Sequence, residues 1–172
     1  MTHNEIELQI GEVVAAMRET AEGPPFYMYG HRLEIANRLK AMTKTNRADK
    51  RYPLIALKLD IPAAIVRGSM INYTLNIAII TATSAGLIAS ERKTQTFQPI
   101  LYPLYDDFFI ELKRSGLFSW DALGLEKPLH TKIDRYYDGK IGEEKNVKNL
   151  FDDPVDAIEL VDLKINSKIK YC

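Results

Sequence analysis

An α+β fold, with a mixed or mainly antiparallel sheet of about four strands and helices packed on one face, is the architecture this 172-residue sequence predicts. Three observations predict it. Residues 71–80 alternate between apolar and polar, so that Ile71, Tyr73, Leu75, Ile77 and Ile79 fall on one side of a strand and Asn72, Thr74, Asn76 and Ala78 on the other. Residues 54–59 form a nearly continuous apolar run closed by Asp60, the pattern of a buried strand with Lys58 at its wetter position. Between 97 and 112, Phe97, Ile100, Leu101, Leu104, Tyr105, Phe108 and Leu112 recur at helical spacing as a stripe wide enough to roof a sheet.

The elements follow in chain order. Ile6, Ile10, Val13, Val14 and Met17 share a helical face, and Gly23, Pro24 and Pro25 stop the helix, which is expected over about 4–21. An aromatic patch, Phe26, Tyr27, Met28 and Tyr29, precedes a short second helix marked by Leu33, Ala36 and Leu39. Residues 38–51 read as an exposed basic connector, with Arg38, Lys40, Lys44, Arg47, Lys50 and Arg51 set against Asp49. The buried strand comes next. Pro62, Gly68 and Ser69 place a connection at 61–70, and the two strands it joins are expected to pair antiparallel. Thr94 or Thr96 is the expected cap of the long helix, Pro99 suits its first turn, Pro103 is expected to bend it unless the regular part begins near there, and Gly116 ends it. Residues 131–137 predict a short strand turning at Asp138-Gly139, and residues 140–154 an exposed loop. In the last strand Ile158 and Leu160 share one face, whereas Val161, Leu163 and Ile165 have the opposite parity. A bulge near Leu160 or Val161 reconciles them.

Composition narrows the function classes. The length suits one domain over residues 1–172, able to bury roughly two thirds of its unfolded surface. Lys plus Arg equal Asp plus Glu at 23 each, and 46% of residues are hydrophobic, which argues against a disordered tail and against a dedicated polyanion binder. No apolar run approaches the roughly 20 residues of a membrane span. No basic stretch leads into an apolar core near residue 1, so cytosolic synthesis is expected. One cysteine, Cys172, leaves neither an intrachain disulfide nor a cysteine-based metal site.

Few residues carry a catalytic signature. His3, His31 and His130 have no spacing that places two of them on one metal. The acid pairs Asp106-Asp107 and Asp152-Asp153 are adjacent in sequence, whereas acid-base chemistry needs carboxylates converging from separate elements. His130 and Asp134 lie four apart, on one face of the expected strand, but without a nucleophile beside them. A hydrolase or nuclease built on Asp106, Asp107, His130 or Asp134 is therefore a minor reading. No cofactor is expected. The basic residues of 38–51 suit local contact with phosphates, and a nucleic-acid-binding accessory protein using them is the leading alternative.

Residues 26–31 (Phe-Tyr-Met-Tyr-Gly-His), residues 51–57 (Arg-Tyr-Pro-Leu-Ile-Ala-Leu), the strand at 73–78, the helix at 97–117 and the ending at 156–169 together resemble tail-terminator and head-tail joining proteins of tailed bacteriophages. The likeness is to those of phages and prophages of Bacteroidota, crAss-like phages among them, and covers about residues 5–170. It implies a tail-terminator-like α+β subunit of a non-enzymatic homo-oligomeric ring, six-fold or twelve-fold. Such a ring sits in the virion neck or at the end of the tail tube, beside portal or tail-tube proteins, and DNA passes through its lumen. Assembly in the host cytoplasm is implied, with no membrane partner. In that setting the basic residues Arg38, Lys40, Lys44, Arg47, Lys50 and Arg51 are candidates for the DNA channel or a subunit contact. The acids Asp152, Asp153, Asp156, Glu159 and Asp162 are candidates for the opposing subunit contact.

Overall fold

The computed structural model describes residues 5–43, 51–66, 70–119, 129–136 and 153–168. Helix α1 (Ile6–Ala15) turns Ile6, Ile10, Val13 and Val14 inward and ends six residues earlier than expected, before a turn in which Thr20 and Gly23 bridge. Strand β1 (Phe26–Gly30), helix α2 (Arg32–Thr43), and strands β2 (Leu54–Lys58), β3 (Ala63–Val66) and β4 (Met70–Ala82) follow. The long helical region then starts at Ala89 rather than at Thr94 or Thr96, because the Ile88 N–H finds the Glu91 carboxylate at 3.0 Å. It runs as α3 (Ala89–Arg92), a π-helical stretch (Lys93–Leu101) and α4 (Tyr102–Arg114). Both prolines fit this division: Pro99 lies in the wider π turns, and Pro103 in the first turn of α4, where the fixed φ of proline suits the helix. Gly116, at φ 63°, closes the helix. Strands β5 (Phe118–Ser119), β6 (His130–Ile133) and β7 (Val155–Lys168) complete the order.

The sheet is mixed and open, with seven strands in place of about four. Its main path is β1-β2-β4-β7-β5, with β3 on β4 and β6 on β7. β1 and β2 are parallel, and the other pairs are antiparallel. The expected antiparallel pairing is present as Leu54 opposite Ile80 through Lys58 opposite Asn76. Part of the expected connection is itself strand: β3 continues along the same edge of β4, from Ala63 opposite Tyr73 to Val66 opposite Met70. The two-residue shift between these registers is taken up at 59–62, where the Thr74 N–H donates to the Pro62 carbonyl at 3.0 Å.

The parity break read near Leu160 or Val161 is a β-bulge. Leu75 faces Leu163 and Ile77 faces Leu160, so Asn76 alone stands opposite Val161 and Asp162. Asp162 takes φ 55°, a conformation Asp tolerates, and its N–H donates to Asn76 Oδ1 at 3.1 Å. As a result Ile158, Leu160, Leu163 and Ile165 all point into one core.

That core lies between the sheet and the layer of α1, the π stretch and α4, where Ile10, Phe97, Leu101 and Phe108 meet Ile55, Leu57, Ile77 and Ile79. Gly11 lets α1 approach β1 closely, since a Cβ there would stand 3.1 Å from the Tyr27 ring, whose hydroxyl donates to the Glu7 carbonyl. Helices do not lie on one face alone. Ile35, Ala36 and Leu39 of α2 cover the opposite face, packing with Met28, Leu54, Ala56, Ala78, Ile80 and Ala157. Ala78, expected on the wetter side, is buried for this reason, whereas Asn72, Thr74 and Asn76 remain half-buried. The central strands are thus dry on both sides at the α2 end of the sheet.

Candidate functional site

The residues singled out by charge do different things. Arg38 is exposed on α2 and reaches back one turn to Glu34 Oε1 at 2.7 Å. Lys40 is exposed on the same helix. Lys44, Arg47, Lys50 and Asp152 lie outside the described residues, as does the Asp138-Gly139 turn. Arg51 forms a close ion pair with Asp153 of its own chain, beside the Tyr52 hydroxyl, and its guanidinium sits 5.6 Å from the Tyr52 ring centre. The basic and acidic segments therefore meet within one chain at this point. Asp162 is exposed at the bulge.

Glu159 belongs to a cluster on the α2 side of the sheet. Lys58 Nζ approaches its Oε1 at 2.6 Å, the Tyr136 hydroxyl donates to the same oxygen, and Arg32 lies 5.2 Å above the Tyr136 ring. Burial alone would raise the Glu159 carboxyl, but the hydrogen bonds from Lys58 and Tyr136 and the charges of Lys58 and Arg32 outweigh it and hold the group below its ordinary value. Tyr136 is pushed up, first by burial and then by its bond to the carboxylate.

Asp156 is enclosed, which corrects its reading as a subunit contact: Arg92 donates to it at 2.7 Å, and the side chains are 1% and 0% exposed. The other guanidinium N–H groups reach Leu87 O, Thr83 Oγ1, Ser84 O and Ala85 O. Thr96 Oγ1 donates to the second carboxylate oxygen at 2.9 Å, and the Arg135 N–H to the first. A buried charge pair survives when its remaining hydrogen-bonding capacity is filled in this way. The pair fastens the 83–88 loop, the π stretch, β7 and the turn after β6 to one another. Arg92 stands in a charged run, Glu91-Arg92-Lys93, that suggests solvent. The signal that finds it is spacing, because the apolar stripe extended backward in steps of four passes through Thr96 to Arg92.

Asp106 and Asp107 of the hydrolase reading border an open cleft of about 440 Å³ between the turn that follows α1 and the outer side of α4. Pro99, Pro103, Leu104 and Ile110 line its apolar part. Arg18, Glu19, Asp106 and Asp107 form the charged rim, where Asp107 accepts from the Arg18 N–H at 2.7 Å. His130 lies elsewhere, its ring centre 4.7 Å from that of Tyr105, and Asp134 follows β6 in a turn. The structure brings these residues into no common site. Among the described residues no three of His, Cys, Asp and Glu are grouped to hold a metal, and no helix is long and apolar enough to cross a membrane.

Apolar side chains reach the surface on both sides of the sheet. Leu33 on α2 is 65% exposed, and on the other side Ile110 of α4 is 54% exposed. Ile65 is 69% exposed on β3, which pairs on one side only among the described strands. Comparison with protein-family models, with curated proteins and with solved structures finds no match.

Proposed function

We propose that this chain is a non-enzymatic virion protein of a tailed bacteriophage. It forms a ring at the head-tail junction or at the end of the tail tube, joins or terminates the tail, and lets DNA pass through the lumen. The resemblance set out above supplies the role. One structural observation carries it further: α2 and α4 lie on opposite faces of the sheet, and each exposes an apolar residue outward, Leu33 on one and Ile110 on the other. Head-to-tail association needs two different patches on one subunit, and closure of the rotation turns such contacts into a ring. Burial of that apolar surface, worth roughly 25 cal/mol per Å², supplies the stability. Surrounding charge sets register and partner choice. The internal pairing of Arg51 with Asp153, Lys58 with Glu159 and Arg92 with Asp156 favours a scaffold over a turnover site, because these groups are engaged in holding the fold.

Native mass spectrometry and electron microscopy of the purified protein test this reading. A closed oligomer of six or twelve copies that binds tail tubes or neck complexes is the expected result. A protein that stays monomeric at high concentration and joins neither overturns it. The alternative, a nucleic-acid-binding accessory protein, draws on Arg38 and Lys40, which lead along α2 into the basic segment. Salt-dependent DNA binding by the isolated monomer, lost on reversing Lys44, Arg47 and Lys50, would favour it.

A further inference from the structure

The cleft between α1 and α4 has the chemistry of a helix-docking groove. Its apolar lining is Pro99, Pro103 and the edge of Leu104, together with the exposed Ile110. Its rim carries three acids, Glu19, Asp106 and Asp107, against one base, Arg18, a net of two negative charges. An amphipathic segment with an apolar anchor and a basic flank fits such a groove.

This chain carries such a segment on the far side of its own sheet. Helix α2 carries Arg38 and Lys40 against one acid, Glu34, a net of one positive charge, while Arg32 at its start is turned to the Tyr136 ring. Leu33 projects from its first turn, 65% exposed, while Ile35, Ala36 and Leu39 hold the helix to the sheet. We infer that α2 of one copy docks in the α1–α4 groove of the next, with Leu33 on the apolar lining beside Ile110 and Arg38 and Lys40 along the acidic rim.

Three features favour a second copy as the occupant. The net charges are opposite in sign. The two surfaces lie on opposite faces of one sheet, so each copy can use both at once. Pairing groove with groove, or α2 with α2, would oppose like charges, which selects the head-to-tail arrangement over a two-fold one. The inference rests on the ring-subunit reading and replaces the acids of 152–162 with those of the groove as the partner surface.

The test uses full-length protein with Cys172→Ser as background. One preparation carries Leu33→Cys and a second Ile110→Cys; they are mixed, allowed to exchange, and treated with a short bis-maleimide. The expected product is a covalent dimer abundant only in the mixture, with mass mapping that joins the two substituted peptides. A second measurement uses charge: Asp106→Lys is expected to weaken self-association by about tenfold or more, and adding Arg38→Glu to the same chain to restore most of it. Oligomers that form with no cross-link in the mixture and no charge rescue would overturn the groove contact and leave the ring reading standing. A protein that is monomeric throughout would overturn both.

Discussion

Arg92 donates to Asp156 at 2.7 Å in a place neither side chain shares with solvent. Removing one partner leaves the other as an uncompensated buried charge. Arg92→Met should therefore cost about 3–5 kcal/mol in urea unfolding, although methionine fills much of the same space. The double variant Arg92→Met with Asp156→Leu should recover a substantial part of that loss, since no ion is then buried. A single variant as stable as the wild type would show that the pair contributes nothing.

Acid should act through Glu159. Its folded carboxyl is held below the ordinary value of 4.5, so the stability it contributes is fully present above that value and is lost as the pH falls through the lower folded value. Glu159→Gln should thus be clearly less stable than the wild type at neutral pH, and the gap should narrow below about pH 4.5. Urea midpoints between pH 3 and 7 measure it. Lys58→Met should shift the same loss toward higher pH.

Alkali should act through tyrosine. Tyr27, Tyr52 and Tyr136 are all pushed up, first by burial and then by Glu7, Asp153 and Glu159 respectively. The unfolded chain releases these protons at lower pH than the folded one, so stability is present below the ordinary value of 10.0 and falls above it. The limiting slope is about 1.4 kcal/mol per pH unit for each such group. Tyr136→Phe should flatten the fall, read from chemical denaturation at pH 9 to 11.

Gly11 and Tyr27 should be coupled. Alanine at a helix-interior glycine usually gains up to about 1 kcal/mol, but here the new Cβ meets a ring tied down by its hydroxyl. Gly11→Ala should be neutral or destabilising in the wild type and stabilising in a Tyr27→Ala background. Equal effects in both backgrounds would remove the close approach as the reason for glycine.

The strand at 71–80, the bulge in β7 and the stripe on α4 were legible because each is written in a local period of two or 3.6 residues. The parity switch after Leu160 is visible within a few residues, and the structure places the extra residue there. What stayed hidden depends on distance along the chain. Nothing in Leu33 to Leu39 says which side of the sheet α2 will cover, and β3 is too short to announce itself beside Pro62. The role of Arg92 is not local, because its partner is 64 positions away. The acids at 153, 156 and 159 form a patch in the sequence, yet their partners Arg51 just before β2, Arg92 in α3 and Lys58 at the end of β2 absorb them singly. The groove escaped notice for the same reason, since its walls are contributed by segments some 80 residues apart, from Arg18 to Pro99.

The doubled position opposite Asn76 also gives β7 a place to lose a residue. Drop Val161 or Asp162, and the four large side chains at 158, 160, 163 and 165 fall into plain every-other-residue order, still facing the helices. The same deletion at 158 would turn one flank of the strand inside out. Length changes in this strand should be survivable at one point along it, and the lattice of contacts around Ile77 and Leu163 would hardly register the cut.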